Sequence, residues 1–158
     1  MLDAMKANGL DDLDYKILKI LERYGRRSFA EIGRELNLSR TAVRERVNQM
    51  MQEKVIERFS VIINPRAVGL NFSVFFEIEC NPAQLLDVAA VLAKNEYILS
   101  CNQMTGKSTL HAHAALRDKE HLESFLTEVI YALPGTRSVN SLLLLRGLKP
   151  KSGGIKIN

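Results

Sequence analysis

Apolar residues recur at two different periods along the chain, and the change of period divides it. Leu13, Ile17, Ile20, Leu21 and Tyr24 keep the three-to-four spacing of an amphipathic helix. Asp11 or Asp12 can cap its start, and Gly25 ends it. Ser28 and Glu31 make a capping box, the serine oxygen accepting the Glu31 amide while the carboxylate reaches back to the Ser28 amide. Ile32 and Leu36 then carry the buried face of a second helix of about ten residues. Asn37 suits a left-handed cap. The chain restarts at once with Ser39 as N-cap and Leu38 placed to staple onto Val43. The spacing predicts a third helix from Arg40 to about Gln52, with Val43, Val47 and Met50 on its buried stripe. Two helices joined by so short a turn make a helix-turn-helix. Val55, Phe59, Val61 and Ile63 lie in phase in a β-branched and aromatic run that ends at Asn64 and Pro65, which predicts a wing hairpin or strand leading into a linker.

The second half has period two. Phe72, Val74, Phe76 and Ile78 alternate with Ser73, Phe75, Glu77 and Glu79, the pattern of a strand with unlike faces. Asn81 as cap, Pro82 at the first position and Gln84 closing a box open a helix whose buried face is Leu85, Val88, Ala89 and Leu92. A second strand is expected over Tyr97–Thr105, with a turn at Gly106 and Lys107. Leu110, Ala112, Ala114 and Leu116 are the inward positions of a third. Asp118 caps a last helix lined by Leu122, Phe125, Val129 and Leu133, and Pro134 and Gly135 stop it before a fourth strand from Val139 to Leu145. The order βαββαβ predicts a ferredoxin-like sandwich, with two helices on one sheet face and the other face bare. The class is α+β: a winged helix-turn-helix over residues 1–60, a linker strand over 61–70, the sandwich over 71–149 and a basic tail over 150–158.

Composition narrows what such a chain can do. Its 158 residues, 46% hydrophobic and 25% charged, suit one or two small globular domains and exclude large catalytic scaffolds. No apolar run approaches the roughly 20 residues that cross a bilayer, and three acids before residue 13 do not fit a signal peptide. The expectation is therefore a cytoplasmic protein without membrane contact. Cys80 and Cys101 form no CxxC pair and read as reduced packing residues. Residues 1–66 carry 13 basic and 10 acidic groups, residues 67–145 carry 5 and 8, and Arg146, Lys149, Lys151 and Lys156 follow without an acid. A basic front, an acidic body and a basic tail point to a polyanion met at one end.

The side of the third helix opposite Val43, Val47 and Met50 carries Thr41, Arg44, Glu45, Asn48 and Gln52. The major groove admits one helix and displays base edges to it. There the Arg44 fork matches guanine O6 and N7, and Asn48 or Thr41 can read adenine or the thymine methyl. Ser28, Ser39, Arg40 and the amides opening the second and third helices can hold phosphates. The plain alternative is a solvated helix face. Arg23, Arg34 and Lys54 read as surface charge. Arg46 lies beside the buried stripe and either pairs with an acid such as Glu31 or Glu35 or meets DNA. His111 and His113 share one strand face, where they can hold a metal or, without a third ligand nearby, sit as polar groups in a sheet interface. There is no serine elbow, phosphate loop or catalytic carboxylate pair, so no catalytic residue, metal site or cofactor is expected.

These residues resemble the feast/famine regulators, the Lrp/AsnC family. The resemblance is carried by Leu10, Asp11, Asp14, Ile17, Leu18 and Leu21, then Arg26 or Arg27, Ser28, Glu31, Ile32, Leu38, Ser39, Val43, Arg46, Val47, Val55, Ile56, Asn64, Pro65 and Gly69. Thr105 with Gly106 and Leu133 with Pro134 and Gly135 are similar to the family's regulatory module, of the RAM or ACT type. Two positions depart from the pattern: Lys54 stands where the family has a glycine with positive φ, and Thr109 where it places an acid. The resemblance implies a sequence-specific DNA-binding transcriptional regulator that binds pseudo-palindromic sites as a homodimer, assembles to tetramers or octamers, and takes an amino-acid effector. The effector pocket it implies is Met104, Thr105, Gly106, Lys107, Ser108 and Thr109. Two rivals stay open: an Lrp-like tetrapyrrole (sirohaem) decarboxylase using His111 and His113, and a weakly specific architectural DNA-binding protein.

Overall fold

A computed structural model of the chain describes residues 9–148, so the expected tail over 150–158 lies outside the described residues. The chain divides into two compact units between Ile62 and Ile63.

The first unit holds three helices, α1 (Asp12–Arg23), α2 (Phe29–Leu36) and α3 (Arg40–Gln52). Of the two candidate caps, Asp11 starts α1: its carboxylate accepts the Leu13 and Asp14 amides, and Asp14 answers to the Asp11 amide. The Ser28 capping box of α2 has both halves in place. Ser39 accepts the Ala42 amide at 3.0 Å to open α3. Ile17, Ile32, Val43, Val47 and Met50 are fully buried in one core with Leu10, Leu18 and Leu21, each such side chain contributing about 1.5–3 kcal/mol of transfer free energy. Tyr24, placed by its spacing on the same stripe, is instead the half-exposed C-cap of α1.

The turn between α2 and α3 closes through Asn37, at φ 56°, with the Leu38 amide bonded to the Gly33 carbonyl at 2.8 Å. A Cβ at Gly33 would lie 2.5 Å from the Leu38 carbonyl oxygen, so the tight turn requires glycine there.

Beyond α3 the structure departs from expectation. No strand forms between Glu53 and Asn71; the segment read as a wing runs as unpaired chain to a 3-10 turn at Pro65–Val68. Val61, Ile62 and Ile63 stand 80%, 60% and 64% exposed. The strand-like pattern is real, but among the described residues no second strand lies beside it to complete a hairpin.

The second unit is a four-stranded antiparallel sheet, order β2-β3-β1-β4, made of β1 (Phe72–Cys80), β2 (Ile98–Gln103), β3 (Thr109–Leu116) and β4 (Thr136–Leu143). Helices α4 (Leu85–Ala93) and α5 (Lys119–Phe125) pack on one face, where Val88, Leu92 and Phe125 meet Val74, Phe76, Ile78, Leu110, Ala112 and Ala114. The βαββαβ order thus stands. Three local expectations do not. Gln84 closes no capping box, since Asn81 caps a 3-10 turn at Pro82–Gln84 and the Gln84 side chain lies against Gly135. Strand β4 starts three residues earlier than its apolar pattern implied. Helix α5 passes into a π turn at Leu126–Ile130, closed by the Tyr131 amide on the Leu126 carbonyl at 2.8 Å. The wider turn carries Ile130, five residues after Phe125, into the core and leaves Val129, the residue helical spacing selected, only partly buried.

Candidate nucleic-acid interface and ligand face

Burial of Val43, Val47 and Met50 fixes the roll of α3. Thr41, Arg44, Glu45 and Asn48 are consequently exposed together on its opposite side, with Ser39 and Arg40 exposed at its N-terminus. The Ser39 hydroxyl satisfies the Ala42 amide, which leaves the Arg40 and Thr41 amides at the open end of the helix without helical acceptors. Such an end turns its free amides toward solvent, the donor arrangement that anions accept from.

Ser28 is differently placed. Its hydroxyl donates to Glu31 Oε2 at 2.7 Å and its amide to the same oxygen at 2.8 Å. These bonds hold the Glu31 carboxyl below its usual range. The Ser28 hydroxyl and amide are thus engaged with its cap partner.

Arg46 takes neither of the partners proposed from sequence. Its guanidinium binds Asp11 at 2.7 Å and Asp14 at 2.8 Å, while Glu35 pairs with Arg27 at 3.0 Å. The two acids that cap α1 therefore also anchor α3. Hydrogen bonds from the Asp14 amide and from Arg46 depress the Asp11 carboxyl, and the two carboxylates raise Arg46. Arg23 and Arg27 lie over the Tyr24 ring, 5.2 and 5.1 Å from its centroid. Lys54 adopts φ 58° despite its side chain.

The uncovered face of the sheet has two unlike ends. At one, Phe75 stacks on His113 with ring centroids 4.2 Å apart, His113 Nε2 meets the Ser73 hydroxyl at 2.6 Å, and Leu142 pairs beside Phe75. At the other, His111 Nε2 lies 3.6 Å from Glu77, and Lys107 lies 3.7 Å from Glu79. The two histidines thus share a face, as their spacing requires, and take separate partners. Cys80 and Cys101 are free thiols on the helix-covered side, and burial raises both.

A recess of about 250 Å³ opens at the polar end, lined by Glu77, Glu79, Lys107, Thr109, Ser138 and Asn140. It brings together Lys107 and Thr109 of the residues expected to bind an effector and leaves out Met104, Thr105, Gly106 and Ser108. Sequence reasoning missed Glu77, Glu79, Ser138 and Asn140. The outward phase of Glu77 and Glu79 was visible in β1, but their meeting with Ser138 and Asn140 of β4 depends on the register Glu77 to Asn140 and Glu79 to Ser138.

Comparison with known proteins bears on both units. Residues 10–51 match the AsnC-type helix-turn-helix domain, and residues 73–153 match the Lrp/AsnC ligand binding domain. The chain is 35% identical over 143 residues to the transcriptional regulator Ptr1 of Methanocaldococcus jannaschii, covering 90% of this chain and 97% of that one. It is 30% identical over 140 residues to LrpA of Pyrococcus horikoshii, covering 89% and 99%. Among solved structures, a transcriptional regulator of Neisseria meningitidis complexed with L-Met superposes with a TM-score of 0.86 at 23% identity, covering 94% and 97% of the two chains. These curated relatives are transcriptional regulators, not enzymes, which sets the decarboxylase reading aside. No helix among the described residues is long and apolar enough to cross a membrane. With both modules matched and relatives aligned along nearly their whole length, the chain belongs to the Lrp/AsnC family of helix-turn-helix transcriptional regulators.

Proposed function

We propose that the chain binds pseudo-palindromic DNA sites as a homodimer, or as a tetramer or octamer built from dimers, and that a small-molecule effector tunes that assembly. The observation that carries the reading is the outward cluster of Thr41, Arg44, Glu45 and Asn48 on a helix whose opposite side is locked in a core. Arg44 reads guanine, Asn48 and Thr41 read adenine or thymine, and Glu45 accepts from cytosine N4. Arg40, Ser39 and the open end of α3 hold the phosphates that set the register. Ser28 sits at the matching end of α2, where the Phe29 and Ala30 amides supply donors that its own capped groups do not.

Dimerisation is supported by the apolar end of the sheet face, where Phe75 and Leu142 are 41% and 55% exposed, a patch that a second copy would cover. Two-fold symmetry then sets half-site centres about 34 Å, or a multiple, apart. An effector acting on assembly contributes a coupling of about 1–3 kcal/mol.

Selection of bound duplexes from a random pool by the purified full chain tests this. The expected product is an enriched inverted repeat with that spacing. Retention that follows ionic strength but enriches no sequence would replace the regulator reading with that of an architectural DNA-binding protein.

A further inference from the structure

We infer that Glu77 and His111 form half of a binding site for a zinc-like divalent cation, which closes when a second copy of the chain lays its sheet on the same face and contributes its own Glu77 and His111. The inference rests on the sheet-face dimer proposed above and adds a metal ion to it.

The donor spacing is the first argument. His111 Nε2 and Glu77 Oε1 stand 3.6 Å apart, too far for a hydrogen bond. Two ligands of one tetrahedral zinc stand about 3.4 Å apart, given bonds of about 2.0–2.2 Å. The pair is therefore close to chelating distance, and both side chains are half-exposed on the uncovered face. Register holds them there: Glu77 of β1 pairs directly with His111 of β3, and Asn140 and Asn102 continue the row on β4 and β2. His113, the other histidine of this face, is engaged with Ser73 and Phe75 and takes no part.

Symmetry is the second. Among the described residues no cluster of three His, Cys, Asp or Glu side chains can hold a metal, so one chain leaves the shell half empty. The sheet order β2-β3-β1-β4 puts the pair on its two central strands. A two-fold axis lying between two such sheets and passing over that centre brings Glu77 and His111 of both copies together, whatever its direction in the plane. Sheets packed face to face lie about 10 Å apart, and side chains from both interdigitate between them. Two imidazoles and two carboxylates then complete the closed tetrahedral shell of a structural zinc site.

Charge is the third. The row of Phe75 and Leu142 is the next one along the face from that of Glu77 and Asn140, so a dimer that buries the apolar end draws Glu77 into the interface with it. A carboxylate taken from water needs a cation. Its neighbour His111 is charged only when protonated, and Lys107 stands beside Glu79 instead. One divalent ion balances the Glu77 carboxylates of two copies while both imidazoles stay neutral, the form in which histidine binds metals.

Sedimentation equilibrium of the full chain, stripped with EDTA and then titrated with zinc chloride, tests the assignment, with calorimetry to read the stoichiometry. One zinc per two chains is expected. At a free zinc concentration about ten times its dissociation constant, the dimer should be about tenfold tighter than without metal. Magnesium, which prefers oxygen ligands, should leave the dimer unchanged at the same concentration. Cobalt(II) in place of zinc should show the visible absorption of a tetrahedral ion. His111→Ala and Glu77→Gln should each abolish the zinc effect while the metal-free dimer persists. His121→Ala, which alters a histidine of α5 that bonds Arg117, should retain it. The stoichiometry and the metal series on the unaltered chain decide even if a variant misfolds. A dimer indifferent to zinc would overturn the inference and leave the sheet-face dimer in place. Zinc bound one per chain, or a zinc effect that survives His111→Ala, would do the same. A chain that stays monomeric with and without zinc would overturn both.

Discussion

Lys54 shows how one residue can be held against its own preference. It sits at φ 58° because its amide bonds to the Met51 carbonyl at 3.1 Å and the Val55 amide returns to Met50 at 2.8 Å, the paired bonds of a Schellman cap. A side chain in that conformation costs about 1–2 kcal/mol, partly offset by the smaller backbone entropy that a non-glycine residue loses on folding. Lys54→Gly is therefore expected to stabilise the first unit by about 0.5–1 kcal/mol, seen as a raised urea midpoint at unchanged slope.

The acid side of the stability profile is also set residue by residue. Asp11 and Glu31 titrate below their ordinary values, the first chiefly through the Asp14 amide and the second chiefly through the Ser28 hydroxyl. A depressed folded-state pKa gives stability that is present above the unfolded value, near 4, and is lost as pH falls through the folded value. Urea melts at pH 6 and pH 3 should show the first unit weakening at pH 3, and Asp11→Asn should flatten that dependence.

At the scale of elements, Arg46 ties α3 to the start of α1. Arg46→Met would leave Asp14, whose side chain is 14% exposed, without its cation, at a cost of about 1.5–3 kcal/mol in the first unit. If Arg46 acts by positioning α3, this variant weakens DNA binding while keeping the salt slope of the parent. A phosphate contact would instead lower the slope by about one.

The same residue marks where sequence reading stops. Capping at Asp11, Ser28 and Ser39 was legible because a cap needs only residues two or three apart. The acid partners of Arg46 were not, being 32 and 35 positions away. The π turn after Phe125 was illegible for a related reason: it satisfies the core, and no local residue announces it. The wing expectation failed because period-two hydrophobicity reports a half-buried strand without saying which strand covers it.

At the scale of the whole molecule, the bare sheet face was predictable from the βαββαβ order, since two helices can cover only one side. Its division into an apolar end around Phe75 and a polar end around Glu77 and Glu79 emerged only with the register. That division sets the apolar end proposed for dimerisation apart from the polar recess. Phe75→Asp places a charge in the apolar end and is expected to shift sedimentation equilibrium toward monomer, with retained melting of the second unit. Because one recognition helix supplies only half of a two-fold site, the same variant should bind a full site little better than a half site.

The most direct test of the account is a gel-shift titration of the selected site with the parent chain, Arg44→Ala and Arg40→Ala at two salt concentrations. Arg44→Ala is expected to lose about 1–3 kcal/mol and its discrimination at one base pair. Arg40→Ala should weaken all sequences alike and reduce the salt slope by about one. Binding of both variants as tight and as selective as that of the parent would contradict the placement of α3 in the major groove.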